Sequence, residues 1–209
     1  MSAQAGPVNT VDWDSRFDTG DYVFGTEPSV FLTSNQGLVP RGAGALCVAD
    51  GEGRNGTWLA AARGCEVTAF DLSPNALGKA RALAEKAGVT LDLQVSTIED
   101  WDWSRTYDLV VAVFIQFAEP ASRAVLFENL KRAVAPGGRL MLHGYTPEQV
   151  ALGTGGPRDP DHMYTEALLR EAFGDMEILR LGSYEKELSE GAGHAGPSAL
   201  IDLIADKPA

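Results

Sequence analysis

The sequence predicts an α/β fold, a mostly parallel, seven-stranded β-sheet with helices on both faces and an antiparallel hairpin at the C-terminal end. Short β-branched apolar runs alternate with helical stretches from residue 45 to residue 144, which is the pattern of a parallel sheet. The last third of the chain contains two longer strands joined by a segment rich in glycine and proline. The chain has 209 residues, 44% of them hydrophobic, which suits one domain with a buried sheet.

The individual elements follow in order along the chain. Five parallel strands are predicted at residues 45–49, 66–71, 90–95, 107–113 and 139–144. Crossover helices are predicted between them, at residues 55–63, 74–87 and 120–134. Ser73 and Pro74 favour a helix start, because serine caps free backbone N–H groups and proline fits the first turn. The hairpin is predicted from strands 176–184 and 198–206 and the connection 185–197.

The charge of the chain disfavours several classes of partner. A formal net charge of -12 and a pI near 4.6 make the average surface repel phosphate backbones and anionic lipids. No basic, apolar leader is visible at the N-terminus and no apolar stretch reaches membrane-spanning length. We therefore expect no nucleic-acid partner, no membrane partner and a cytoplasmic location. Cys47 and Cys65 lack metal-ligand spacing and are expected to be reduced core thiols.

A glycine-rich turn follows the first strand and opens a helix. In the segment 49–56, Gly51 and Gly53 lack the Cβ atoms that would keep a ligand away from the backbone. Asp71 stands eighteen residues past Gly53, at the end of the next strand, where a carboxylate can accept both hydroxyls of a ribose. This pair predicts a nucleotide-like ligand but leaves open whether it is NAD or S-adenosylmethionine.

A second turn, Ala135-Pro136-Gly137-Gly138-Arg139, precedes the fifth strand. Proline and glycine end helices in any fold, so the turn is also compatible with a plain helix terminator. Its place in the order of strands is typical of class I methyltransferases, and a dehydrogenase has no general need of it.

Several rarer motifs carry a family resemblance. They are Trp13-Asp14-Ser15-Arg16, Tyr22-Val23-Phe24-Gly25-Thr26-Glu27-Pro28, the turn at 49–55, Asp71-Leu72-Ser73, Trp101-Asp102-Trp103, Gly155-Gly156-Pro157 and the glycine-rich run 190–196. With these motifs the chain resembles, from about Trp13 to Lys207, the tellurite-resistance (TehB-like) branch of class I S-adenosylmethionine-dependent methyltransferases. The resemblance implies a Rossmann-like fold and a methyltransferase activity (EC 2.1.1.-), with S-adenosylmethionine as cofactor and S-adenosylhomocysteine as product.

The resemblance also implies a cofactor site. Its expected residues are Trp13, Arg16 and Tyr22 of the arm, Asp50, Gly51, Gly53 and Asn55 of the turn, Asp71, Leu72 and Ser73 after strand two, Thr97 and Ile98 after strand three, and Phe114 and Gln116 after strand four. Asp50 is expected to meet the ammonium group of the cofactor. Thr97 and the Ile98 backbone N–H are expected at the adenine, with Glu99 as an alternative acid, and Phe114 or Ile115 on the face of its ring.

The predicted chemistry is an in-line displacement in which a neutral sulfide leaves from a sulfonium. Because positioning contributes most of the acceleration, a dedicated base is optional. A small acceptor is expected, such as tellurite, selenite or a thiol. Candidate catalytic residues are His194, Tyr145 and Arg158, with Arg16 as a further cationic donor. For His194 an equal alternative is that it and Glu190 connect the glycine-rich loop to the core. His143, at the end of strand five, has no assigned function, and no residue cluster suggests a metal.

Two other functions remain open at this point. An NAD-dependent oxidoreductase would use the same turn and Asp71, and a noncatalytic S-adenosylmethionine-binding module would use the lid segments for a protein partner. The chain is expected to be a monomer or weak homodimer and a single domain, 1–209. Its predicted parts are an N-terminal arm or lid (1–35), a cofactor-binding core (36–145), a lid loop (146–164) and a C-terminal helix and hairpin (165–209).

Overall fold

A computed structural model describes residues 11–209, so the first ten residues of the predicted arm lie outside it. The sheet has seven strands in the order β3-β2-β1-β4-β5-β7-β6. Strands β1 to β5 are parallel, and β7 runs antiparallel to both of its neighbours, β5 and β6. The predicted fold is therefore confirmed in its strand number, its direction of pairing and its C-terminal hairpin.

The elements have the following bounds. The strands are β1 (Gly44–Val48), β2 (Glu66–Asp71), β3 (Asp92–Val95), β4 (Tyr107–Val113), β5 (Val134–Tyr145), β6 (Glu177–Ser189) and β7 (Ala195–Asp206). The α-helices are α1 (Trp13–Phe17), α2 (Val30–Ser34), α3 (Arg54–Arg63), α4 (Pro74–Lys86), α5 (Pro120–Ala133), α6 (Gln149–Leu152) and α7 (Glu166–Ala172). Single 3₁₀ turns lie at Gln36–Leu38 and Pro160–His162. In the described part of the chain, no helix is long and apolar enough to cross a membrane.

Helices cover both faces of the sheet. Neighbouring residues of β1 point to opposite faces, so Ala45 packs with α2, α3 and α4, whereas Leu46 packs with α5 and α7. Strands buried on both sides read as continuous apolar runs, which is why the pattern indicates a parallel sheet. Cys47 and Cys65 are buried free thiols in this core.

The start of α4 follows the prediction closely. The Ser73 hydroxyl accepts a hydrogen bond from the Ala76 amide at 3.0 Å, and Pro74 is the first helical residue. Helix α4 packs tightly on the glycine turn, because a Cβ at Gly53 would lie 2.5 Å from the Cβ of Ala80. Gly53 also has a φ of 80°, so glycine is required there for two independent reasons.

The turn at 135–139 has a different form from the one predicted. Strand β5 begins already at Val134, and its pairing with β4 skips from Tyr107↔Val134 to Leu109↔Arg139. The segment between these pairs is therefore a bulge inside the strand. A Cβ at Gly138 would lie 2.9 Å from the Ala135 carbonyl oxygen, so the bulge closes only around glycine.

The C-terminal hairpin is longer than predicted, because pairing continues to Ser189↔Ala195 and the connection is only residues 190–194. The last strand was predicted to begin only at residue 198, because glycine and proline occupy positions 196 and 197, and this boundary was wrong. Strand β7 pairs with β5 only up to Tyr145↔Leu200, so Pro197 lies where one edge of β7 is free. Proline is tolerated at such an edge, because no ladder hydrogen bond needs its missing N–H group.

Candidate active site

The candidate site lies where the strand order reverses between β1 and β4. In open α/β sheets, ligands bind in the crevice at the carboxyl ends of the strands at this switch point. Ala49, directly after β1, has a φ of 48°, and Phe114, directly after β4, has a φ of 57°. They are the non-glycine residues with positive φ in the range 11–209. Backbone strain of this kind accumulates at functional sites, and here it brackets the crevice.

Asp71 is positioned beside the glycine turn. Its Oδ2 accepts a hydrogen bond from the Gly51 amide at 2.9 Å, and its Oδ1 accepts one from the Ser73 amide at 3.0 Å. Burial raises the pKa of Asp71 from its ordinary value, while these amides act against that rise. A carboxylate has about four acceptor positions, so Asp71 keeps acceptor capacity for a ligand hydroxyl beside its amide partners. The next side chain, Leu72, is 44% exposed and offers an apolar surface there.

Asp50, predicted to meet the ammonium group of the cofactor, is engaged with the protein. Its Oδ2 accepts a hydrogen bond from the Gly56 amide at 3.0 Å, in the first turn of α3. Gly53 at the N-cap of this helix has no side chain, so Asp50 supplies the missing cap. Burial raises the pKa of Asp50 to about 7, which makes it a weak partner for a cation at neutral pH.

Two further predicted cofactor ligands are engaged with the protein. The Asn55 Oδ1 accepts a hydrogen bond from the Ser29 amide at 2.9 Å, which ties α2 to the glycine turn. Gln116 bridges the backbone of Tyr145, since its Nε2 donates to the carbonyl at 2.8 Å and its Oε1 accepts from the amide at 2.6 Å. Both side chains stabilise the walls of the crevice.

The segment after β3 forms a compact turn at the crevice. The hydroxyl of Thr97 donates to Asp100 at 3.1 Å, and the Ile98 carbonyl accepts from the indole of Trp103 at 2.8 Å. Thr97 and Ile98 are half-buried. Trp101 stacks on Phe70 at 4.3 Å between ring centroids, as expected of core packing. Both residues that were predicted to contact the adenine therefore retain partial exposure.

The arm folds across the site. Helix α1 places Phe17 over the glycine turn, where a Cβ at Gly51 would lie 3.5 Å from its ring. The Asp14 carboxylate accepts a hydrogen bond from the Ser73 hydroxyl at 2.5 Å, which fixes α1 at the start of α4. The Arg16 guanidinium lies 5.1 Å from the ring centroid of Trp13 and 5.4 Å from that of Phe24.

Glu52, which sequence reasoning missed, holds the arm in place. This carboxylate is 2% exposed and accepts hydrogen bonds from the Val23 and Phe24 amides, both at 3.1 Å. It also forms an ion pair with Lys79 at 2.9 Å, and the Tyr22 hydroxyl donates to the Lys79 carbonyl. The sequence did contain an indication of this function, because Glu52 stands between Gly51 and Gly53, where a tight turn does not require a charged side chain.

Glu190 forms a second attachment of the arm. Its Oε2 lies 2.7 Å from the Arg54 guanidinium, and both side chains are almost fully buried. Its Oε1 accepts a hydrogen bond from the Val30 amide at 2.8 Å. The structure thus gives Glu190 the connecting function that the sequence left as an alternative.

His194 and Tyr145 form a buried pair that contacts Phe114 at the end of β4. The His194 ring is stacked between Phe24, at 4.6 Å, and Phe114, at 4.0 Å. Its Nδ1 lies 2.6 Å from the Tyr145 hydroxyl. Burial, with a smaller contribution from Arg54, lowers the pKa of His194 to about 3, so the ring is neutral at physiological pH. Burial also raises the pKa of Tyr145 well above its ordinary value.

The third candidate catalytic residue is separate from this pair. Arg158 is exposed on the loop between α6 and the 3₁₀ turn, and the structure records no ion pair or hydrogen bond of its side chain within residues 11–209. His162 is half-buried and ends the 3₁₀ turn Pro160–His162. The same residues contain no group of three or more His, Cys, Asp or Glu side chains arranged to hold a metal ion.

Comparison with known proteins agrees with this geometry. Residues 45–138 match the family model described as a methyltransferase domain. The chain has the Rossmann-like fold of class I methyltransferases. The matched residues run from β1 through the glycine turn and Asp71 to the bulge of β5. No curated protein matches the sequence.

Solved structures show the same fold at low sequence identity. A structure reported for the conversion of a disulfide bond into a thioacetal group in echinomycin biosynthesis has a TM-score of 0.72 at 18% identity, covering 94% of this chain and 90% of that one. TehB from Haemophilus influenzae has a TM-score of 0.67 at 19% identity, covering 85% of this chain and 61% of TehB. The N-methyltransferase NodS from Bradyrhizobium japonicum, in complex with S-adenosylhomocysteine, has a TM-score of 0.69 at 13% identity, covering 94% and 97%.

The comparisons support the predicted class of reaction and the predicted cofactor. S-adenosylmethionine is the methyl donor of this domain family, in agreement with the predicted cofactor. Neither an NAD-dependent oxidoreductase nor a noncatalytic binding module is favoured by the match.

Proposed function

We propose that this protein is an S-adenosylmethionine-dependent methyltransferase of the TehB-like branch that acts on a small-molecule nucleophile. The proposal depends above all on the Asp71 carboxylate, which lies against the amide of Gly51 at the switch point of the sheet. A nucleoside presents a pair of hydroxyls, and Asp71 presents a carboxylate that keeps acceptor capacity beside its amide partners.

The residues of the crevice fit this cofactor in three respects. Gly51 donates its amide to the Asp71 carboxylate, and Leu72 provides an exposed apolar surface beside the ribose position. Phe114 presents its ring from the end of β4. The bound cofactor supplies a methyl group on a positively charged sulfur, whose departure as a neutral sulfide drives the transfer. The protein residues hold the two reactants in line and exclude water.

The contacts around His194 support a small acceptor. Phe24, Phe114 and the neutral His194 form an uncharged aromatic stack next to the end of β4. Arg16, lying over Phe24, adds one cation at the edge. A thiol or a small oxyanion such as selenite or tellurite suits these surroundings, since soft nucleophiles lose little on desolvation and an anion gains from Arg16.

Binding of S-adenosylhomocysteine by isothermal titration calorimetry tests the proposal. Asp71→Asn removes the charge while keeping one acceptor, and a charged hydrogen bond contributes about 1.5–3 kcal/mol, so the Kd should rise roughly 10- to 150-fold. Asp102→Asn is the matched control, because Asp102 is exposed on a turn and bonds only to Ser104. Absence of binding by the folded wild-type protein, or equal Kd values for Asp71→Asn and wild type, would contradict the proposal.

A further inference from the structure

A second buried histidine lies on the other side of Phe114. His143, on β5, is 1% exposed, and its Nδ1 lies 2.8 Å from the Asp202 Oδ1 on β7. Asp202 is also 1% exposed and accepts two further hydrogen bonds from β6, one from Arg180 Nε at 2.9 Å and one from the Tyr184 hydroxyl at 3.1 Å. Neither the cofactor site nor the His194–Tyr145 pair uses this cluster.

The hydrogen bonds of this cluster determine where His143 carries its proton. A carboxylate has only acceptor positions, so each group bonded to the Asp202 oxygens must donate. The Nδ1 of His143 is therefore protonated, and in the neutral ring the lone pair is on Nε2. Within residues 11–209 the structure records no hydrogen bond of Nε2, so the protein leaves this lone pair unused.

The position of His143 relates it to the crevice. It pairs with Val113 at the carboxyl ends of β4 and β5, and its carbonyl accepts a hydrogen bond from the strained Phe114 at 2.9 Å. Its ring meets the edge of Phe114 at 4.8 Å and stacks on Phe31 of α2 at 4.9 Å. Thus Phe114 separates two histidines, and each of them is oriented by a different partner.

We propose that His143, oriented by Asp202, is the proton acceptor of the methyl transfer, and that the acceptor substrate is therefore protic, with a thiol as the best candidate. This inference depends on the proposed function. As the S–H sulfur bonds to the methyl carbon, the bond from that carbon to the cofactor sulfur breaks and its electron pair stays on the leaving sulfide. The thiol proton passes to Nε2, and Asp202 stabilises the resulting imidazolium before the proton leaves to water.

The charged and titratable groups that face His143 agree with this function. Asp202 contributes one negative charge from β7, 2.8 Å from the Nδ1 of His143. Arg180 and Tyr184, on β6, bond to the same carboxylate. His194, in the loop 190–194, is a further titratable group on the opposite side of Phe114, and it is neutral. A carboxylate behind a histidine with a free Nε2 is the arrangement of an oriented general base.

The first test measures the tautomer without any turnover. The chain has only three histidines, so spectra of ¹⁵N-histidine-labelled protein can be assigned with His162→Asn and His194→Phe. We expect the His143 signals of the Nδ1–H tautomer near neutral pH, and a shift toward the Nε2–H form in Asp202→Asn. An Nε2–H tautomer in the wild-type protein would overturn the proposal.

The second test compares two acceptors, 2-mercaptoethanol, which carries a proton, and iodide, which does not. His143→Asn keeps a donor near Asp202 but lacks Nε2, so thiol methylation below the thiol pKa should fall roughly 10²- to 10⁴-fold, as expected for loss of a general base. Iodide methylation should change less than about threefold, and the thiol defect should diminish as pH rises and thiolate forms. His162→Asn, in the 3₁₀ turn Pro160–His162, is the matched control.

The outcomes separate the two proposals. Equal loss for thiol and iodide would show that His143 only supports the fold, and equal rates in wild type and His143→Asn would show that it accepts no proton. Binding of S-adenosylhomocysteine without methylation of the thiol would also overturn the inference. If the wild-type protein binds no S-adenosylhomocysteine at all, the proposed function fails, whereas the tautomer measurement still decides the state of His143.

Discussion

The neutral state of His194 makes a quantitative prediction about stability and pH. The folded protein holds the pKa of this histidine at about 3, whereas the ordinary value is 6.5. At a pH between these two pKa values, His194 is protonated in the unfolded chain but not in the folded one. The free energy of unfolding must therefore fall as the pH decreases below 6.5. Linkage gives a loss of about 2 kcal/mol at pH 5, relative to pH 8, from this residue alone.

His194→Phe removes the titrating group and keeps an aromatic ring between Phe24 and Phe114. The Tyr145 hydroxyl loses its partner, which costs about 1–3 kcal/mol at every pH. The difference in unfolding free energy between wild type and variant should therefore shrink by about 2 kcal/mol from pH 8 to pH 5.

Urea denaturation at pH 8, 7, 6 and 5 measures this difference, because other titrating groups are common to both proteins and cancel. His162→Phe serves as a control, since His162 lies half-buried on a loop. A wild-type-minus-variant difference that stays constant within about 0.5 kcal/mol across the range would refute the assignment of a buried, neutral His194.

Three further predictions concern the attachments around the crevice. Folding raises the pKa of Asp50, so the free energy of unfolding of the wild type should decrease as the pH rises from about 4 toward 7. Asp50→Asn should abolish this decrease, and urea titrations across that pH range check the sign. Gly193→Ala should detach the arm, because a Cβ there would overlap the ring of Phe24. Trypsin should then cleave at the exposed Arg16 faster than it does in the control variant Gly20→Ala, whose Cβ has no neighbour within 4 Å. Glu190→Gln should lower the unfolding free energy by about 3–5 kcal/mol, because it leaves the Arg54 charge buried without its partner, and a loss under about 1 kcal/mol would contradict this.

Much of the fold was readable from local pattern. A helix start such as Ser73-Pro74 depends only on neighbouring residues, and the structure has it where predicted. The hairpin ends were misjudged, because Pro197 stops a strand only if both edges are paired, and that depends on where β5 ends.

The candidate site was predictable to the level of its backbone. Gly51 and Asp71 meet as expected, because the carboxyl ends of parallel strands lie at one edge of the sheet. Asp50, Asn55 and Gln116 were assigned to the cofactor by position in a motif, yet their side chains bond to the protein. A motif specifies residue type and spacing, whereas the direction of a side chain depends on which amides lie unpaired nearby.

The sequence by itself determined the order of elements, the glycine turn and the acidic residue after the second strand, since each depends on periodicity or on backbone freedom within a few residues. Only the tertiary structure decided how the arm is attached and which histidine bears which partner. Glu190 meets Arg54, and Asp202 meets His143, across 136 and 59 residues respectively, counted from their numbers in the chain. A buried charged side chain is stable only beside a partner that compensates its loss of water. Which residue comes that close depends on the folded structure, and no local sequence pattern contains that information.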